Sequence, residues 1–475
     1  MEDHTLLNHA FSSVVSSLVS FGFLLSISLQ TWLLLHGWGP LFQLLPVSCL
    51  LAAMAAHRFL LRPRHELYLV DFSCLRPPAS LRVPISALVE HLSLISCFDR
   101  ESVAFMEKVI TSSGLGQETY FPRPLHFIPP KTRLEDSLME AHMLLFPVMD
   151  DLLAKTGVSP VDVDVLVVNC SDFSPFPSLS AMVVHRYSMR HDVRTFNLSG
   201  MGCSASLIGV DVARALLAVH AGFYAVVLSA EVLSTGWYAG KDRRKLLLNC
   251  VFRTGSAAVL LTNRREARRK AKYRLARMER TQRAADDRAY ASAIKEEDSE
   301  GITGFTIERD LLRVARETLR ANAYALGASV LPLHEKARYA LFWLRQAHLG
   351  ESAAYMPDFK SSIQHFCLPA SGKAVIREVG RGVGLTGRDT EAAAMTFHRF
   401  GNQSAASMWY QLAYMEGKGR VKNGDRVWQL GMGSGPKCNS AVWECLRQVE
   451  GEAERGVWGG CIHRYPMEEA AALEP

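Results

Sequence analysis

Formal charge is missing from residues 11–35, a run of 25 positions in a chain of 475. A helix of that length crosses a hydrocarbon layer about 30 Å thick. No basic segment precedes the run and no small-residue cleavage site follows it, which excludes a removable secretion signal. Regular cysteine spacing is absent as well. Ten cysteines lie scattered from Cys49 to Cys461, which argues against a disulfide framework and for free thiols on a reducing side. Metal-ligand spacing is lacking too: His365 and Cys367 form one half of such a pattern without a second half, so no metal site is expected. Aromatic residues are nearly absent from the most basic segment, residues 264–283, which speaks against nucleic acid as a partner.

A second apolar stretch covers residues 41–61, broken by Gln43, Pro46, Ser48, His57 and Arg58. Together the two stretches predict a helical hairpin turning at Gly37, Trp38, Gly39 and Pro40, with Trp32 and Trp38 at interface depth. A first span followed by a buried second helix is the other reading. Arg58, Arg62 and Arg64 at the far end place everything downstream on the cytosolic face.

After residue 64 the chain alternates short β-branched apolar runs with longer helical stretches, which predicts an α/β fold with buried strands. Strands are expected at residues 67–71, 163–169, 224–230, 257–262 and 427–431, and helices at 310–324 and 404–417. Residues 264–283 carry ten basic side chains against Glu266 and Glu279, a local net of +8 that exceeds the +6 of the whole chain. Such a segment reads as a solvated linker, as a contact for anionic lipid headgroups, or as a rim for the phosphates of a coenzyme A nucleotide.

The segment Gly200-Met201-Gly202-Cys203-Ser204-Ala205 carries the most chemistry. Two glycines permit a sharp turn, and an apolar helix over residues 207–217 follows. A cysteine at the start of a helix sits at the positive end of the helix dipole, where a nucleophilic thiolate is favoured. The bland reading is a small buried hydrophobe.

With that motif the sequence resembles the plant 3-ketoacyl-CoA synthases, the condensing enzymes of fatty acid elongation. Further matches are Tyr68 to Ser73, Ser113 to Gly116 with Glu118 to Tyr120, Ser178 to Val183, Asn249 to Arg253, His398 to Asn402, and Cys461 to Pro466. The resemblance implies a thiolase-like five-layer α-β-α-β-α sandwich built from two similar halves and preceded by the membrane hairpin. The boundaries become a membrane anchor over 1–64, a first half over 65–263, a basic linker region over 264–300 and a second half over 301–475.

It also implies Cys203 as nucleophile and Asn402 as a donor to the substrate oxygen, although an Asn ahead of Ser404 also suits a helix cap. The loop Gly433-Ser434-Gly435 matches the family's glycine loop at the oxyanion site, or is an ordinary turn. One departure stands out. Relatives carry a histidine where this chain has Pro369, and Gln282 stands where another family histidine is common. Proline offers neither a side-chain donor nor an N–H. His365 and His398 remain as candidate site residues, each matching a histidine in relatives, which favours structural roles.

The implied substrates are long-chain or very-long-chain acyl-CoA and malonyl-CoA, with no further cofactor. Implied partners are a second synthase chain, as homodimer or heterodimer, the other elongation enzymes and the membrane of the endoplasmic reticulum. Type III polyketide synthases share the fold but lack the hairpin. Because of Pro369, the alternative is a catalytically weak paralogue that acts as a non-catalytic or regulatory partner.

Overall fold

The computed structural model describes residues 28–29, 31–32, 66–349 and 356–467. The expected membrane hairpin lies almost wholly outside the described residues. The fold belongs to the unit Glu66–Pro475. Among the described residues the one apolar stretch long enough to cross a membrane is Gly202–Val219, and it is mostly buried within the protein.

Thirteen strands are present among the described residues. Nine form one sheet: β1 (Tyr68–Cys74), β4 (Val165–Asn169), β5 (Arg194–Leu198), β6 (Tyr224–Ala230), β7 (Ser256–Thr262), β8 (Tyr273–Gln282), β11 (His365–Cys367), β12 (Arg426–Gly433) and β13 (Lys437–Cys445). Two short pairs stand apart, β2 (Arg82–Val83) with β3 (Thr119–Tyr120) and β9 (Ala293–Glu297) with β10 (Thr303–Ile307).

The order in the large sheet is β11-β12-β13-β8-β1-β7-β6-β4-β5. The outer strands of each arm run parallel, β4 with β5 and β6 on one side and β11 with β12 on the other. Towards the middle both arms turn antiparallel, through β7 and β1 in one and β13 and β8 in the other. The arms are drawn from the two ends of the chain and resemble each other in this layout. They meet where β1 pairs with β8.

Composition explains the strands. Val165, Leu166, Val167 and Val168 are all buried, as are Val226, Val227 and Leu228 on β6. Strands covered on both faces have no solvent side to mark with polar residues and therefore read as continuous apolar runs. Each fully buried Val or Leu contributes about 1.5–3 kcal/mol relative to exposure.

The basic segment expected as a linker holds instead the ten-residue strand β8, zipped to β13 from Tyr273 through Gln282. Several of its charges are matched, mostly by carboxylates on other segments. Arg274 pairs with Glu66 and Glu444, Arg280 with Asp211, and Arg283 with Asp286 and Glu317. Lys272 is buried, its Nζ 2.7 Å from Asp71, 3.0 Å from Glu416 and 2.9 Å from Glu452. A buried ammonium must be paired to remain charged, and these three carboxylates outweigh burial and raise its pKa.

Candidate active site around Cys203

Strand β5 ends at Leu198, and the chain turns through Gly200 and Gly202, at φ 66° and 61°, into a 3-10 turn over Gly202–Ser204. The helix Ala205–Val219 continues from that turn. It is pinned to the core by Leu207, Val210, Ala213 and Leu217, a buried stripe at helical spacing. Backbone of the elbow is tied to Ser171: the Gly200 N–H donates to its carbonyl and the Gly202 N–H to its hydroxyl, both at 3.0 Å. Gly202 has a left-handed φ that favours glycine. It also has no room for a methyl, which would come within 2.7 Å of the Ser434 nitrogen.

The glycine loop from the second half packs on this elbow. A methyl on Gly433 would sit 2.3 Å from the Met201 carbonyl oxygen and 2.5 Å from Ser204 Oγ. Ser434 Oγ donates to the Gly200 carbonyl at 3.3 Å. The φ of 59° at Gly435 completes the turn between β12 and β13. The loop therefore lies against the nucleophile turn, where its main chain faces Met201 and Gly202.

Asn402 enters from the helix Gly387–Phe400 through Gly401, at φ 72°. Its backbone is stitched to the first half: the Asn402 N–H donates to the Val251 carbonyl at 3.1 Å, and the Arg253 N–H to the Asn402 carbonyl at 2.9 Å. Its side-chain NH2 donates to Ser371 Oγ at 3.5 Å, and its Oδ1 accepts from the Ser404 N–H at 2.8 Å. Ser404, itself at φ 53°, places Oγ 3.6 Å from Cys203 Sγ and 3.1 Å from Glu231 Oε2.

Glu231 follows directly on β6, at the carboxyl end of a buried strand, where α/β sheets hold their chemistry. Its Oε1 accepts from the N–H groups of Ser171 and Asp172, each at 3.0 Å.

The electrostatics correct one expectation. A helix start by itself favours the thiolate, yet burial pushes the Cys203 thiol up to about 11, and the Glu231 carboxylate adds to the rise. Ser404 and Asn402 act in the opposite sense without overcoming it. Burial likewise raises the Glu231 carboxyl, with the neighbouring Asp172 carboxylate adding to it.

The side chain hydrogen-bonded to the thiol is thus Ser404, and neither candidate histidine takes that place. His365 Nε2 lies 2.8 Å from Asp425 Oδ2 at the start of β11. His398 Nδ1 lies 3.4 Å from the Tyr465 hydroxyl, and its carbonyl accepts from the Gly116 N–H. Pro369 is buried in the loop after β11. That loop is clamped by Gln411, which accepts from the Leu368 N–H at 2.8 Å and donates to the Leu368 carbonyl at 2.6 Å. Gln282 closes β8 opposite Lys437. Sequence reading singles out Cys203, Asn402 and the glycine loop, which the fold brings together, but passes over Glu231, Ser404 and Ser371. The one local signal for Glu231 is an acidic residue directly after an apolar strand.

Comparison with known proteins agrees with this geometry. Residues 58–348 match the family described as FAE1/Type III polyketide synthase-like protein, and residues 359–445 match the 3-oxoacyl-[acyl-carrier-protein] synthase III C-terminal family. 3-Ketoacyl-CoA synthase 5 of Arabidopsis thaliana is 46% identical over 430 residues, covering 90% of this chain and 87% of that protein. 3-Ketoacyl-CoA synthase 6 of the same plant is 43% identical over 467 residues, covering 97% and 94%.

Among solved structures, a fungal type III polyketide synthase, ORAS, superposes with a TM-score of 0.63 at 16% identity, covering 80% of this chain and 99% of its own. The 1,3,6,8-tetrahydroxynaphthalene synthase of Streptomyces coelicolor gives 0.62 at 16% identity, covering 80% and 99%. The fold is therefore the thiolase-like α/β fold. With its cysteine on a glycine turn and bonded to Ser404, two residues after Asn402, and near-full-length relatives at more than 40% identity, the chain belongs to the 3-ketoacyl-CoA synthase family.

Proposed function

We propose that the chain condenses a long-chain or very-long-chain acyl-CoA with malonyl-CoA, giving a 3-ketoacyl-CoA two carbons longer. The observation that carries this reading is the Cys203 turn packed on the glycine loop and bonded to Ser404, whose N–H Asn402 holds. Cys203 sulfur attacks the acyl-CoA carbonyl, coenzyme A leaves, and the acyl group stays as a thioester. Malonyl-CoA then loses carbon dioxide, and the enolate carbon attacks that thioester. Its collapse expels the cysteine sulfur, which takes up one proton.

Negative charge on the malonyl-derived thioester oxygen meets the Asn402 NH2 group, a neutral donor that costs no ionisation. In this reading the main chain of the glycine loop, packed on the elbow, supplies the donors for the oxygen of the tetrahedral intermediate. Pro369 adds no donor, which leaves Asn402 the side-chain donor identified for the enolate. Relatives at 43–46% identity over most of the chain support the enzyme over a non-catalytic partner.

The same reading anchors the protein in the endoplasmic reticulum membrane through a hairpin over residues 11–61, with the catalytic part on the cytosolic side. The charge-free run and the arginines that follow support this. It also assigns the protein to an elongation complex, as a homodimer or paired with a related synthase. The test is formation of 3-ketoacyl-CoA from radiolabelled malonyl-CoA by the membrane-reconstituted chain, with Cys203→Ala as blank. Wild-type product no higher than that blank rejects the reading.

A further inference from the structure

We infer that the proton of the Cys203 thiol passes to Glu231 through the hydroxyl of Ser404. The inference rests on the reading of Cys203 as the acyl-accepting nucleophile and deepens it. Ser404 Oγ bridges the two groups, 3.6 Å from the sulfur and 3.1 Å from Glu231 Oε2. Its place is held by the backbone, since the Ser404 N–H is bonded to Asn402 Oδ1 at 2.8 Å. The carboxylate is aimed by its other oxygen, which two backbone N–H groups hold.

A relay of this kind answers a need specific to this chain. The resting thiol is protonated at neutral pH, because burial raises it to about 11, and the position where relatives carry a histidine is Pro369. Burial raises the Glu231 carboxyl above its ordinary value, which makes its carboxylate a stronger base. The ionisable groups around it are the Cys170 thiol, 3.6 Å from Oε1, the Asp172 carboxylate, itself paired with Lys295, the Glu140 carboxyl and Cys203.

The step balances. As the sulfur–carbon bond forms, the S–H proton moves to Ser404 Oγ and the serine's own proton moves to Glu231 Oε2. When the carbon–sulfur bond to coenzyme A breaks, the proton returns by the same path to the departing thiolate. No outside acid or base is consumed, and the two negative charges are never present side by side.

The test is the pH profile of iodoacetamide reaction at Cys203 in the full chain, followed by peptide mass mapping to separate it from the partly exposed Cys74 and Cys97. Transfer to Glu231 gives a rate plateau through neutral pH, ahead of the rise that ends near pH 11. Glu231→Gln keeps an oxygen for the N–H groups of Ser171 and Asp172 but accepts no proton. Its plateau disappears and its rise moves to lower pH, since the charge beside the thiol is gone. Ser404→Ala also loses the plateau, with no such downward move.

In the acyl-CoA half-reaction both variants release the first equivalent of coenzyme A about a hundred- to ten-thousandfold more slowly. A wild-type rate climbing tenfold per pH unit with no plateau, or a plateau that survives Glu231→Gln, overturns the inference. If the wild type shows the plateau but releases no coenzyme A, the relay stands and the proposed function fails.

Discussion

Asn402 Oδ1 accepts the Ser404 N–H at 2.8 Å, so the carbonyl end of this amide is already committed and only its NH2 end is left for chemistry. The amide closes a local turn onto Ser404, while the 3-10 helix that follows has Gln403 at its N-cap and no side-chain cap. That turn fixes the amide's orientation, with its NH2 end on the side of Ser371.

Replacing Asn402 with Asp keeps the acceptor for Ser404 and removes the donor. The expected result is a fall of about a hundred- to a thousandfold in 3-ketoacyl-CoA formation, the usual cost of losing one oxyanion donor. Malonyl-CoA turnover measures it, and a rate within threefold of wild type would remove Asn402 from the mechanism.

Pro369→His should raise the malonyl-dependent step tenfold or more, since it returns a donor to the loop that carries Ser371, the hydrogen-bond partner of Asn402. Single-turnover assays with a preformed acyl-enzyme isolate that step. The acylation rate is expected to change less, because that step uses Glu231 and Ser404. An unchanged or slower condensation would show that the loop does not aim position 369 at the site.

Gly433→Ala puts a methyl 2.3 Å from the Met201 carbonyl and must move the elbow that carries Cys203. Overpacking of this kind costs about 1–3 kcal/mol. Denaturant midpoint and turnover should fall together. Activity retained in a destabilised variant would mean that the loop supports the fold without shaping the site.

Glu140 accepts the N–H groups of Leu233 and Ser234 at 2.7 and 2.9 Å, and burial pushes its carboxyl up from 4.5 to about 7. The folded state therefore holds a proton that the unfolded chain releases between those values, so this group's contribution to stability declines as pH rises through that window. Glu140→Gln mimics the protonated form at every pH. Its stability relative to wild type should improve between pH 4.5 and 7, by up to about 3 kcal/mol, because a tenfold change in proton affinity is worth about 1.36 kcal/mol. A pH-independent difference in denaturant unfolding would contradict the raised carboxyl.

Local sequence is a good guide wherever one segment carries its own physics. The run at residues 224–230 is strand β6 to the residue, and the helix expected over 207–217 lies within Ala205–Val219. The strand is buried along nearly its whole length and the helix along one stripe, and each pattern is written within the segment itself. The Gly-Met-Gly-Cys turn is equally legible, because left-handed backbone at Gly200 and Gly202 demands glycine.

Long-range pairing is not legible. The ten-residue strand β8 resembles a solvated linker because its arginines find their carboxylates on distant segments: Glu66 and Glu444 for Arg274, Asp211 for Arg280. Charge density along a chain says nothing about which opposite charges folding will bring alongside.

By itself the sequence determined which thiol is offered, on which turn, in which family of folds, since each of these rests on residues within a few positions of one another. Only the tertiary structure decided what surrounds that thiol. Burial raises its pKa where a free helix start would lower it, and Ser404 and Glu231, 173 positions apart, meet beside it. Desolvation and through-space proton paths depend on distances across the core, and linear order does not record those distances.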